Sequence, residues 1–309
     1  MSILIIFENK DSGPWEKILK EKLPNTLIEV YPNVKDSSTV NFVICWKPKN
    51  NVLSKFPNVK VIQSVGASID HITNSQKISN STIITRIIDK QLSIDMWEFL
   101  VAVVLSEIKN LPDYANQQKL KIWKQHQYQS IKNTTIAVMG LGKIGGLVAE
   151  NFANLGFKVK GWSSSKKEIS KVHSFSGAHE FDDFLENSNF LINLLPLTKQ
   201  TEGILNEKIL QKLTTGTFLI NVGRGEHLID KDLIKLLDSS HLSGALLDVF
   251  HEEPLPENHP FWTHPKIKIT PHIASLTNIE SVINQVIENY RRFINTQELL
   301  HTISIQKGY

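Results

Sequence analysis

One stretch of this chain, Thr135 to Ser165, restricts its fold more than any other. Ile136 to Met139 is a short apolar run, as a strand buried on both faces of a parallel sheet requires. Gly140, Gly142 and Gly145 follow at once in the spacing GxGxxG. The first glycine permits a sharp turn, the second lets a pyrophosphate approach the backbone, and the third lets helix and strand pack closely. Ile144, Leu147, Val148, Phe152 and Leu155 then recur at roughly helical spacing, Gly156 stops the helix, and Phe157 to Trp162 reads as the next strand. A lone GxGxxG is weak evidence, since glycine turns also arise for structural reasons. Set between a strand and an amphipathic helix, with a second strand on schedule, it predicts a dinucleotide site. Amides at the helix N-terminus, over Leu141, Lys143 and Ile144, are then the phosphate donors.

The rest of the chain alternates in the same way. Ile3–Phe7, Leu27–Tyr31, Phe42–Cys45 and Val59–Gln63 read as strands, the last ending in a second glycine turn, SVGASIDHI. Beyond the central unit, strand-like runs lead into LLPLT, GRGEH, DVFHEEPLP and PHIAS, delivering Pro196, Arg224, Asp248 with Glu253, and His272. Such alternation predicts an α/β protein of two doubly wound Rossmann-like domains. In open parallel sheets ligands bind outside the carboxyl ends of the strands, where these residues fall. Ile94–Asn110 is a long apolar helix suited to a hinge, Asp113–Asn133 is a polar excursion carrying Trp123 and Tyr128, and Ile279–Phe293 is a helix leading back to the first domain. The expected division is residues 1–98 with 284–309 for the substrate and 99–283 for the dinucleotide, with the active site in the cleft between them.

At 309 residues and 41% hydrophobic content, two cores are affordable. A net charge of +3, spread rather than striped, argues against nucleic acid as a partner. Cys45 is the single cysteine, which rules out an intrachain disulfide and any multi-cysteine metal site, and His71, His126, His173, His179, His241 and His264 fit no metal-ligand spacing. The opening MSILIIFENK is too short an apolar run for a signal peptide, and no segment reaches the ~18 apolar residues of a membrane helix. A cytoplasmic protein is expected, without a membrane partner.

Taken together, SVGASIDHI, MGLGKIGG, INLLPLT, INVGRGEHLI, ALLDVFHEEPLP and ITPHIAS make the chain resemble the D-isomer-specific 2-hydroxyacid dehydrogenases over essentially its full length. VICWKP, GWSSSKK and the terminal GY resemble the glyoxylate/hydroxypyruvate reductase branch. The resemblance implies reduction of a short 2-oxoacid by a nicotinamide cofactor. It makes His272 the acid/base, a role suited to an imidazole with an ordinary pKa near 6.5. It makes Glu253 the partner that favours imidazolium, and Arg224 the fork that grips the substrate. Backbone amides of Val65, Gly66 and Ala67 would meet the same carboxylate, and Trp46 would wall the pocket or else pack as a core aromatic. Leu195, Pro196, Val222, Gly223, Asp248 and Ser275 would line the cofactor.

An NAD site places an acid about twenty residues beyond the glycines. Here Ser163, Ser164, Ser165 and Lys166 stand instead, so NADP is the expected cofactor and NAD the alternative, although the branch normally offers an arginine at Ser164. The family also implies a homodimer, with Trp123 reaching a neighbouring subunit. The alternatives are an NAD(H)-sensing, corepressor-like scaffold, which usually carries extra tails, and a related enzyme such as D-lactate dehydrogenase. Phosphoglycerate and formate dehydrogenases fit less well, the first needing more cations and the second a glutamine at Glu253.

Overall fold

The computed structural model describes residues 1–303, so the terminal GY lies outside the described residues. The chain forms two compact units, Met1–Lys90 with the C-terminal segment beginning at Thr277, and Gln91–Leu276. The divisions therefore fall earlier than residues 98 and 283. The long apolar helix, Lys90–Ile108, belongs almost entirely to the second unit, where Met96, Leu100, Val104 and Ile108 enter the core.

In the first unit, strands β1 (Ser2–Phe7), β2 (Leu27–Val30), β3 (Val40–Trp46), β4 (Val61–Ser64) and β5 (Ile83–Thr85) are parallel, in the spatial order β5-β4-β3-β1-β2. A short strand, Thr302–Ile303, pairs antiparallel with β5. Ile3, Leu4, Ile5, Val43 and Ile44 are all at 0% exposure, so β1 and β3 bury both faces. The register sets Phe7 beside Trp46 and Cys45 beside Ser64, so the carboxyl ends of β1, β3 and β4 lie level. Helix Ile279–Ile294 covers this unit. Asn278 caps it by accepting the Glu280 N–H at 2.9 Å, and Val282, Ile283, Val286, Ile287 and Tyr290 form its buried stripe.

The second unit carries β6 (Thr135–Met139), β7 (Lys158–Ser163), β8 (Val172–Ser176), β9 (Phe190–Asn193), β10 (Thr217–Asn221), β11 (Leu242–Leu247) and β12 (Ile267–Ile269). All pairs are parallel, in the order β12-β11-β10-β9-β6-β7-β8. Alternate residues feed two cores: Ala137, Met139, Leu191 and Leu219 enter one, and Ile136, Val138, Phe190, Ile192, Phe218 and Ile220 the other. Each of the larger side chains contributes about 1.5–3 kcal/mol on burial, which fixes the register from both faces at once. Met139 pairs with Asn193, Asn193 with Asn221, Asn221 with Leu247, and Leu247 with Ile269, so five strands end at one level.

The expected polar excursion contains a helix, Leu111–Leu120, with Pro112 in its first turn and no buried residue. Strands β5 and β8 were not among the expected elements. Among the described residues no helix is long and apolar enough to cross a membrane.

Candidate active site

The strand order reverses between β6 and β9, and the glycine turn sits at that switch point. Gly140 has φ +100°, and a Cβ there would meet the Leu194 carbonyl oxygen at 2.7 Å. Gly142, at the N-cap of helix Lys143–Asn154, would meet nothing within 4 Å, leaving the open approach an anion needs. A Cβ on Gly145 would lie 1.8 Å from the Gly140 oxygen, so helix and turn touch through backbone alone. Leu141 is buried against Gly161, whereas Lys143 is exposed at the helix start. Ser163 ends β7 buried, and its hydroxyl donates to the Ser165 carbonyl at 2.7 Å, so it is committed to its own turn. Ser164, Ser165 and Lys166 are exposed.

Asn193 and Asn221, both at 0% exposure, end neighbouring strands and build the floor under Arg224. Asn193 Nδ2 donates to Asn221 Oδ1 at 2.9 Å and lies 2.8 Å from Nδ1 of the buried His227. That ring nitrogen accepts the Arg224 N–H at 3.1 Å, and Asn221 Nδ2 donates to the Arg224 carbonyl at 2.9 Å. His227 Nε2 reaches the Pro196 carbonyl at 3.3 Å, tying the turn after β9 to the turn after β10. A buried polar network satisfied in this way fixes one backbone arrangement. Val222 and Gly223 therefore stand beside Leu195 and Pro196, and the Arg224 Nη1 donates to the Gly223 carbonyl at 2.6 Å. None of Asn193, Asn221 and His227 was among the expected site residues. The signal was present: both strands end in the same tripeptide, LIN.

His272 lies beyond β12 with φ +55°, and its Nδ1 is 2.8 Å from Glu253 Oε2 and 3.0 Å from Oε1. The carboxylate takes the Nδ1 hydrogen, which leaves Nε2 for proton exchange. Glu253 Oε1 also accepts the Phe250 N–H at 3.2 Å. Asp248, expected among the cofactor contacts, is 1% exposed and holds the His272 turn. Its Oδ1 accepts Thr270 Oγ1 at 2.6 Å and the Ile273 N–H at 2.9 Å, and its Oδ2 accepts the Ala274 N–H at 2.9 Å. Burial pushes the Asp248 carboxyl above the usual range, against the opposing pull of these donors. Ser275 donates to the Leu92 carbonyl at 2.8 Å.

In the first unit the loop after β4 differs from expectation. Val65 N–H donates to the Cys45 carbonyl at 3.2 Å, and Gly66 N–H to Ser64 Oγ at 3.1 Å, so two of the three amides are used internally. The Ala67 N–H is the amide left for an anion. A Cβ on Gly66 would lie 2.5 Å from Trp46 Cζ3, so the indole packs directly on this loop. Lys10 Nζ sits 5.5 Å from the Trp46 ring centroid, and Arg86 Nη1 donates to the Ala67 carbonyl at 3.1 Å. Arg86 was not among the expected residues, because one arginine in a loop carries no pattern.

Comparisons with known proteins identify the family and the fold. The family model described as D-isomer specific 2-hydroxyacid dehydrogenase, NAD binding domain, matches residues 101–274, inside the second unit. A glyoxylate/hydroxypyruvate reductase A from Yersinia enterocolitica is 33% identical, with 100% of both chains covered. A solved NADPH-dependent glyoxylate/hydroxypyruvate reductase from Sinorhizobium meliloti, in complex with NADP and sulfate, superimposes with TM-score 0.93 at 30% identity over 100% of each chain. A D-isomer specific 2-hydroxyacid dehydrogenase from Xanthobacter autotrophicus, in complex with NADPH and MES, gives TM-score 0.92 at 29% identity over 100% of this chain and 99% of that one. With its glycine turn, its Glu253–His272 pair and its full-length likeness to these proteins, the chain belongs to the D-isomer-specific 2-hydroxyacid dehydrogenase family.

Proposed function

We propose that the protein reduces glyoxylate, hydroxypyruvate or a similarly short 2-oxoacid to the 2-hydroxyacid, with NADPH as the preferred reductant. The observation that carries this reading is the Glu253–His272 pair at 2.8 Å, in the same unit as the glycine turn and the held Arg224. The open Gly142 and the helix N-terminus fit a pyrophosphate, with Leu195, Pro196, Val222, Gly223 and Ser275 along the strand ends toward the nicotinamide. When bound, the dihydronicotinamide supplies a hydride to the keto carbon. Arg224 orients the 2-oxoacid through its carboxylate and carbonyl oxygens. His272 gives the proton from Nε2 to the carbonyl oxygen, and Glu253 stabilises the imidazolium before that transfer. Ala67 N–H and the Trp46 ring are proposed substrate contacts, the indole favouring short acids.

The absence of an acid after β7 removes repulsion of a 2′-phosphate, and exposed Ser164, Ser165 and Lys166 offer it donors. A second copy of the chain is the proposed partner. Helix Leu111–Leu120 and the stretch behind it expose Leu120 at 69%, Tyr128 at 65% and Trp123 at 98%, an apolar surface that a homodimer would cover.

Initial rates with NADPH and NADH against glyoxylate, hydroxypyruvate, pyruvate and a larger 2-oxoacid test the reading. Turnover confined to short acids, faster with NADPH, is expected. His272→Ala lowers kcat by about 10²–10⁴-fold as a lost general acid, and Arg224→Lys is also impaired despite its charge. Tight nucleotide binding without turnover on any acid would overturn the enzyme reading in favour of a sensing scaffold.

A further inference from the structure

Behind the catalytic loops lies a cavity of about 240 Å³, bordered by Asp230, His251 and His259 with Phe250 and Phe261. Asp230 opens helix Asp230–Asp238, a few residues after Arg224. His251 and His259 flank Glu253 on the loop beyond β11. Asp230 Oδ1 lies 3.4 Å from His251 Nε2, and Oδ2 lies 3.3 Å from His259 Nε2. His259 Nδ1 accepts the Phe261 N–H at 3.3 Å, which leaves Nε2 to carry the hydrogen toward Asp230. His251 Nε2 also donates to the Leu228 carbonyl at 2.8 Å, a second tie between the same two segments.

These ties reinforce a backbone contact. A Cβ on Gly225 would lie 2.0 Å from the Phe250 carbonyl carbon, so the residue after Arg224 already rests on the start of the Glu253 loop. Phe250 in turn donates its N–H to Glu253 Oε1. Any shift of residues 250–253 is therefore felt at Arg224, and Asp230 is a charged group that joins the two segments beside that contact.

We infer that Asp230, bridged by His251 and His259, is a positioning residue that fixes Arg224 relative to Glu253. It touches neither substrate nor cofactor and acts by preventing the loops from sliding past one another. A displacement of about 1 Å between catalytic groups costs on the order of a hundredfold in rate, so a loosened clamp is read in kcat. The inference rests on the proposed roles of Arg224 and Glu253.

The test combines turnover with amide hydrogen exchange in the full-length protein. Asp230→Ala is expected to lower kcat by about ten- to a hundredfold, to leave KM for NADPH unchanged, and to speed exchange over residues 249–254. Asp230→Asn, which keeps the shape and one acceptor, is intermediate and carries the comparison if the alanine variant fails to fold. His251→Asn and His259→Gln keep an N–H donor and so retain most of the rate, whereas alanine at both positions reproduces Asp230→Ala. Wild-type kcat and exchange in Asp230→Ala would overturn the clamp. So would a loss of kcat without faster exchange, or conservative variants as impaired as alanine. If the wild-type protein turns over no 2-oxoacid, the functional reading fails, and the exchange comparison still decides whether Asp230 holds the loops.

Discussion

Replacing Asp248 tests how the turn carrying His272 is held. The side chain is buried, and three donors converge on it from Thr270, Ile273 and Ala274 at 2.6, 2.9 and 2.9 Å. Hydrogen bonds to a charged group are worth roughly 1.5–3 kcal/mol each, giving a gross loss of about 4.5–9 kcal/mol on truncation to alanine. Two terms reduce it. Thr270 and Ile273 lie where water can replace the lost acceptor, and the desolvation of the carboxylate is no longer incurred. A net destabilisation of about 3 kcal/mol at neutral pH is therefore expected for Asp248→Ala, with Asp248→Asn losing less because one acceptor oxygen survives. Turnover should fall by about a hundredfold as His272 moves from Glu253.

The pH dependence has a definite sign. Burial raises the folded-state pKa of Asp248. The stabilisation it gives is therefore fully present below the unfolded value of about 3.9, and declines as pH rises through the raised folded value. Urea unfolding at several pH values measures the gap between wild type and Asp248→Ala, which should be widest in acid and narrow to a plateau above the raised pKa. A gap that widened with pH, or an asparagine variant no more stable than alanine, would refute the argument.

Two further outcomes follow from the geometry. Gly66→Ala puts a methyl 2.5 Å from Trp46 Cζ3, forcing the indole to tilt. KM for glyoxylate should rise by about tenfold, or 1.4 kcal/mol, with KM for NADPH unchanged; an unaltered glyoxylate KM would remove Trp46 from the substrate contacts. Trp123→Ala removes a side chain that is 98% exposed, so the thermal stability of an isolated subunit should not change. Sedimentation should show dimer association weakened by about 2 kcal/mol or more, as for a buried aromatic anchor, and a wild-type protein already monomeric at micromolar concentration would refute the dimer.

The fold was legible wherever burial on both faces left a continuous apolar run, as at Ile136–Met139 and Phe190–Ile192. Strands β5 and β8 lie toward the sheet edges with mixed burial, and their sequences carry no such run. Helix Leu111–Leu120 buries nothing, so no stripe announces it. The unit boundary was blurred because helix Lys90–Ile108 starts where one unit ends and stays apolar throughout. At the candidate site, the placement of Arg224, Glu253 and His272 just beyond strand ends was legible from the motifs. Pairings between distant segments were not. No spacing rule joins Asn193 to His227, or Asp230 to His259, and only the folded packing of their segments brings them together. Likewise, the sequence offered three amides at Val65–Ala67, and only the local bonds reveal that two are already taken.

The glycine turn has one more consequence. What excludes a side chain at Gly145 is the carbonyl of Gly140, a part of the protein's own backbone, while Gly142 faces open space. The outermost glycine of the fingerprint is thus demanded by folding and would be retained whichever nucleotide is used. Ser164, Ser165 and Lys166, by contrast, are exposed and outside the core. On the proposed coenzyme contacts, choice of nucleotide and architectural integrity are written in separate places. A lineage carrying this domain could then exchange one nicotinamide nucleotide for the other by changing a few surface residues, at little cost to folding, and leave no trace of the exchange in the glycine pattern.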